Sequence, residues 1–413
     1  MSTTRDLLLR DRRYLTLLAA RTLSMLAISF APVALAFGIL DLPGATPTSL
    51  SLVLASESVA IVAFTLAGGV IADRYPRHRV LQTAEWTNAA THLVIGVMFL
   101  TGHAPIWGLA AAAFVAGTGS ALVWPALTGI IPDVVPTVAL QEGNAFLGLG
   151  GNIAKIGGLV TGGIVVVGIG GGWALVAAGA TFALSGFLVS RLGLARPVRP
   201  EVRASLLAEL RGGWDEFRSR EWLWVTVLQF SVLVMVWQGA HLVLGPVVAK
   251  AELGGPGAWT TVLTAESVGL VVGGLLALRL RPRRPILLVT LFSFGAAPPY
   301  LLLGFHAPLA AVASASFILG LSFELFTVVW QTTMQREIPP ESLSRVSSYD
   351  ALGSLLLGPL GLVLAGPAAE RFGTHPSLVA CGLVMVVTTL GALCSPGVRN
   401  LRAPYAVPTA LVP

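Results

Sequence analysis

The stretch that decides the fold is GGVIADRYPRHRVL, residues 68–81. It holds Asp73, Arg74, Arg77 and Arg79, with His78 among them, between long apolar runs. Only 11% of the 413 residues are charged and 55% are hydrophobic, with a mean hydropathy of +0.81. A soluble domain carries roughly 25% charged residues. Here the apolar runs reach about 20 residues, the length that crosses a bilayer. The chain therefore reads as an all-α membrane protein, and the stretch as a tight charged turn between two spans.

Runs and breaks mark twelve transmembrane helices, at about 14–40, 48–72, 80–101, 105–131, 145–168, 171–193, 222–248, 257–279, 285–304, 308–334, 346–369 and 376–396. The first run is too long for a signal-peptide core and is expected to persist as a span. Cys381 and Cys394 share one predicted helix about 20 Å apart, so they cannot pair with each other. An even number of spans puts both termini on one side. Twenty-two of the 26 basic residues fall on that side, and only Lys250 and Arg371 on the other. The positive-inside rule then makes the termini cytoplasmic, in the inner membrane of the cell. Topology accounts for the net charge of +6, and no nucleic-acid partner is needed.

The chain divides into a six-helix half (1–193), a cytoplasmic linker (194–221), a second six-helix half (222–396) and a cytoplasmic tail (397–413). Residues 117–166 align with 320–369 at a constant offset without a gap: Gly117 falls on Gly320, and Gly163 on Gly366. Ser-Glu-Ser-Val (56–59) in span 2 resembles Ala-Glu-Ser-Val (265–268) in span 8. Two pseudo-symmetric halves follow. In the linker, Leu206, Leu207, Leu210, Trp214 and Phe217 recur at helical spacing, which reads as an amphipathic helix on the membrane surface.

With Gly69, Ile71, Ala72, Asp73, Arg74, Arg77 and Leu81 in register, the opening stretch resembles the 2–3 loop motif of the major facilitator superfamily, G-x-L-A-D-R-x-G-R-K/R-x-x-L. Pro76 replaces the usual glycine and His78 a basic residue. The second-half copy, 274–279, has Leu278 where the acid would be. NAFLGLGGNIAKIGGLVTGG (144–163) and WQTTMQREIPPESLSRVSSYD (330–350) look like actinobacterial members of the enterobactin-exporter and macrolide-efflux branch, with Lys155 and Gly158 in place of arginine and proline. The resemblance implies alternating access between two rocking halves. It also implies a gate at Gly69, Asp73, Arg74 and Arg77, closing against the start of helix 11 near Asp350. The alternative is a topology anchor, but an anchor needs the arginines and not Asp73.

Ionisable groups inside spans are costly and default to function. Glu57, Glu266 and Glu324 are candidates for proton coupling or for binding a cationic substrate. Lys155 reads equally as a contact for a substrate anion or a structural charge. Arg21 and Glu85, near the cytoplasmic edge, read at least as well as snorkelling or paired groups. Trp124, Trp237 and Trp330 are either cavity walls or packing. His92 and His241 read first as hydrogen-bonded core histidines, with His241 also a cavity candidate. Gly157-Gly158-x-x-x-Gly162-Gly163 reads as close helix packing within a monomer. No P-loop, dinucleotide fingerprint, zinc motif or nucleophile elbow is present, so no cofactor, metal or enzyme activity is expected. The reading is a secondary transporter that exports a small amphipathic compound (a drug, secondary metabolite or siderophore) across the bilayer against protons. Its rivals are a nutrient importer or facilitator on the same fold, and a sensor that moves nothing.

Overall fold

The computed structural model describes residues 8, 10–136, 139–193 and 214–402. Twelve long helical segments run through them: α1 Arg12–Leu40, α2 Pro47–Arg74, α3 Arg77–Thr101, α4 Ile106–Val134, α5 Leu140–Ile169, α6 Gly171–Ser190, α7 Glu221–Leu253, α8 Pro256–Ala277, α9 Pro285–Gly304, α10 Leu309–Glu337, α11 in two pieces (Pro340–Leu355 and Gly358–Phe372), and α12 Thr374–Cys394. No strand occurs among the described residues. Each helix answers one of the apolar runs. All except α3 are apolar enough to cross a membrane by composition alone. The charges at the start of α3 belong to the turn.

Local signals set the helix ends. Asp11 caps α1 by accepting from the Arg13 and Tyr14 amides at 2.7 and 3.3 Å. Thr46 and Ser49 form a capping box at α2, with Pro47 in the first turn, where its missing N–H costs nothing. The α7–α8 turn needs Gly254 and Gly255, at φ +98° and +86°, a region that disfavours side chains. Within α7 the backbone widens into π-helical turns at Gly239–Leu244 and Ala249–Leu253, on either side of Pro246. Proline removes a helical hydrogen bond and crowds the preceding turn, and wide turns absorb that mismatch.

Large apolar side chains face outward along the helices: Val97, Ile164, Val167, Leu275 and Val387 are each more than half exposed. A bilayer solvates such a surface and water does not.

Two compact units emerge. The first comprises residues 1–201 with 238–264 and 359–377. It holds α1–α6 plus the ends of α7, α8 and α11 that lie away from the chain termini. Inside it α2 packs along α4, α3 along α6, and α1 along α5 and α6. Its buried cluster gathers Tyr14, Leu17, Val80, Leu81, Leu127, Ile130 and Val189. The second comprises 202–237, 265–358 and 378–413. Its cluster includes Trp222, Leu223, Ile286, Val289, Phe326, Trp330 and Met334. Of the proposed linker helix, Leu206, Leu207 and Leu210 lie outside the described residues. Its end is helical at 214–219, where Trp214 and Phe217 pack on Tyr349 with ring centroids 5.6 and 6.0 Å away.

Candidate transport site

The two glutamates in matching sequence surroundings occupy matching places. In the first unit a Cβ on Gly117 of α4 would lie 2.3 Å from the Glu57 carbonyl of α2. In the second, a Cβ on Gly320 of α10 would lie 2.0 Å from the Glu266 carbonyl of α8. Only glycine permits such backbone approach. Each acid therefore rides on a helix pressed against its partner at a glycine, and the two glycines are the ones the internal repeat superposes. Both side chains are half-buried.

Around Glu266 the second unit assembles more polar groups than the sequence suggested. Tyr300 of α9 is buried, accepts a hydrogen bond from the Trp237 indole, and lies close enough to Glu266 for electrostatic interaction. Tyr300 stood out by no spacing or motif. Glu324 of α10 packs over Gly273 and Gly274 of α8: a Cβ on Gly273 would lie 3.0 Å from the Glu324 Cβ. Trp330 is buried and donates from Nε1 to Asp350 at 3.1 Å, while Ser354 donates to the same carboxylate at 3.4 Å.

In the first unit, Lys155 of α5 is exposed and acts electrostatically on His241. His241 lies buried in the first π turn of α7, 5.4 Å from the Trp259 ring. Trp259 of α8 fills the notch left by Gly245, one turn beyond His241: a Cβ there would lie 2.1 Å from the indole. The pattern His241-x-x-x-Gly245 was the available signal for this wedge. His92 contacts the Asn88 carbonyl at 2.7 Å.

Glu85 is the one buried carboxylate among the described residues, at 2% exposure, near Arg21 of α1 and beside Ser24 and Ser185. Its Oε2 has no hydrogen-bond partner.

At the opening turn, Gly69, Asp73 and Arg74 end α2, and only their backbone is described; the side chain of Trp124 likewise lies outside the described residues. Arg77 bonds both oxygens of Asp133 at 3.3 Å, an acid at the end of α4 that the sequence reading had not singled out. His78 is buried at 9% exposure.

The end of the first unit away from the termini is sealed by contacts distant in sequence. The Gly366 amide of α11 donates to Ser51 Oγ of α2 at 2.7 Å. A Cβ on Gly366 would lie 2.5 Å from the Thr48 Cα. A Cβ on Gly163 of α5 would lie 2.4 Å from Thr260 Oγ1 of α8. Gly163 and Gly366 are again a pair that the repeat superposes. Glu370 accepts from the Thr48 amide at 3.2 Å, placing an acid at the start of α2 where the helix dipole favours it. Lys250 pairs with Asp41 at 2.6 Å, and His375 with Glu252 at 2.6 Å. Gly158 and Gly162 receive α1 at Leu26, Ser29 and Phe30, so the glycine-rich face of α5 packs inside the chain.

The sequence profile of the Major Facilitator Superfamily matches residues 17–361. This chain belongs to that superfamily. It is a multi-pass membrane transporter and not an enzyme. Among curated proteins it is 25% identical over 370 residues to the multidrug efflux pump Tap of Mycolicibacterium fortuitum, covering 85% of this chain and 88% of the relative. It is 22% identical over 407 residues to macrolide efflux protein A of Streptococcus pyogenes, covering 94% and 96%. Its fold is similar to that of the nucleoside transporter NupG (TM-score 0.74, 12% identity, 93% of this chain and 98% of that chain). It also resembles a bacterial homologue of the lysosomal transporter Spinster in an inward-facing, unoccupied conformation (TM-score 0.72, 16% identity, 95% and 100%).

Proposed function

We propose that this superfamily member exports a small amphipathic compound from the cytoplasm in exchange for protons, acting as a monomer by alternating access. The observation that carries the reading is the matched pair Glu57 and Glu266, each held at a glycine contact on a pseudo-symmetric helix. A carboxyl group at such a depth is retained at a cost to membrane stability, and proton or cation handling is the use that offsets it. Efflux by the two curated relatives supports the direction. The excess of arginines beside the termini supports a cytoplasmic placement for them. In that orientation the sealed end of the first unit is extracellular. Asp73, Arg74 and Arg77 then belong to the opposite gate, which closes when the extracellular seal opens.

The test is the pH profile of transport in Glu57→Gln and Glu266→Gln, each expressed at the wild-type level. At least one profile is expected to flatten. Two unaltered profiles would remove the pair from proton coupling and move the role to Glu324.

A further inference from the structure

A groove of about 600 Å3 opens on the outer face of the first unit between α3 and α4. Its floor carries Arg79, Gln82, Thr83 and Trp86, with Thr91 and Val115 further along. Arg79 stands two residues into α3, so the groove begins at the membrane edge on the side of the termini. Nothing in the transport reading uses it.

The chemistry of the groove selects an anion. Arg79 brings a charged fork of donors, Trp86 an N–H that can only donate, and Gln82 an amide. None of these three side chains makes a hydrogen bond within the described chain. The hydroxyls of Thr83 and Thr91 are already committed, to the carbonyls of Arg79 and Thr87 at 2.9 Å each. No carboxylate lines the groove. Glu85, adjacent to Trp86 in sequence, turns into the helix bundle instead.

Its surroundings select a lipid over a free anion. Beyond Trp86 the same face of α3 continues as Ala90, Val94 and Val97, all exposed. These recur at three- and four-residue spacing, so they form one stripe running from the charged edge into the apolar zone. A tryptophan at the junction of a basic and an apolar zone sits at headgroup level. We propose that this groove holds an anionic phospholipid, with its phosphate on Arg79, Gln82 and the Trp86 N–H and an acyl chain along Val94 and Val97. The site is independent of the transported cargo and of the coupling ion.

Full-length protein purified in micelles containing equal phosphatidylglycerol and phosphatidylcholine, with retained lipids counted by native mass spectrometry, tests this. One basic side chain at an anionic membrane surface is worth about fivefold in occupancy. Wild type is expected to retain phosphatidylglycerol over phosphatidylcholine by about that factor. Arg79→Gln is expected to fall to parity, while Arg191→Gln, which removes another exposed arginine on the same side, keeps the preference. Trp86→Phe, which deletes only the N–H and a little surface, is expected to weaken retention, and it carries the test should Arg79→Gln fail to fold. Wild-type parity, an unchanged preference in Arg79→Gln or, if that variant does not fold, in Trp86→Phe, or displacement of the lipid by inorganic phosphate alone would overturn the proposal.

Discussion

Glu85 and Arg21 show how burial decides what a charge inside a helix bundle can do. The glutamate is enclosed by α1, α3 and α6, whereas Arg21 is half-exposed. Removing the arginine therefore withdraws a favourable charge from a buried acid. Removing the acid leaves a cation that is not enclosed. Arg21→Gln is expected to lower the thermal midpoint of the purified protein more than Glu85→Gln does. The double variant should regain part of the loss. Equal effects that simply add would show that the two groups do not interact. The sequence disclosed the presence of these charges inside spans, but not their depth. Depth depends on which face of α3 meets α6, and in a helix apolar on all sides hydrophobic periodicity carries little information about that. Tyr300 and Asp133 were missed for a related reason, since their partners come from other helices.

At the scale of elements, the seal rests on two glycines that look equivalent in sequence and are not equivalent in physics. Gly163 faces a side chain, Thr260, whereas Gly366 faces backbone, the Thr48 Cα and Pro47 carbonyl. A side chain can be cut back; backbone cannot. Gly163→Ala is expected to impair transport, and Thr260→Gly in the same chain, which also removes the Thr260 Cβ that would lie 2.8 Å away, to restore it. Gly366→Ala is expected to impair transport at least as much, and Ser51→Ala is not expected to rescue it. Rescue of both, or of neither, would mean that these contacts do not govern closure. The repeat at constant offset disclosed that the two glycines correspond, and the glycine-rich run disclosed that helices approach there. Their partners were not legible, because a sequence does not state which of twelve helices arrives at a notch. The π turns around Pro246 were equally silent: the proline marks a strained helix without saying how the backbone relieves it.

For the whole molecule, the twelve spans were legible because a bilayer imposes a length and a composition on every crossing. The division into compact units was not. The ends of α7, α8 and α11 join α1–α6, while the rest of those helices stay with α9, α10 and α12. On the proposed alternating-access reading that partition belongs to one state of at least two, and states separated by a few kcal/mol share one sequence. The central claim is coupling between cargo and protons. It is met most directly with purified protein in liposomes containing a pH-sensitive dye, under an imposed pH gradient, with a panel of cationic drugs, siderophores and sugars added in turn. The account predicts proton movement that depends on an amphipathic compound and runs opposite to it. Proton movement in the same direction as the cargo, or none while tryptophan fluorescence still reports binding, would contradict it.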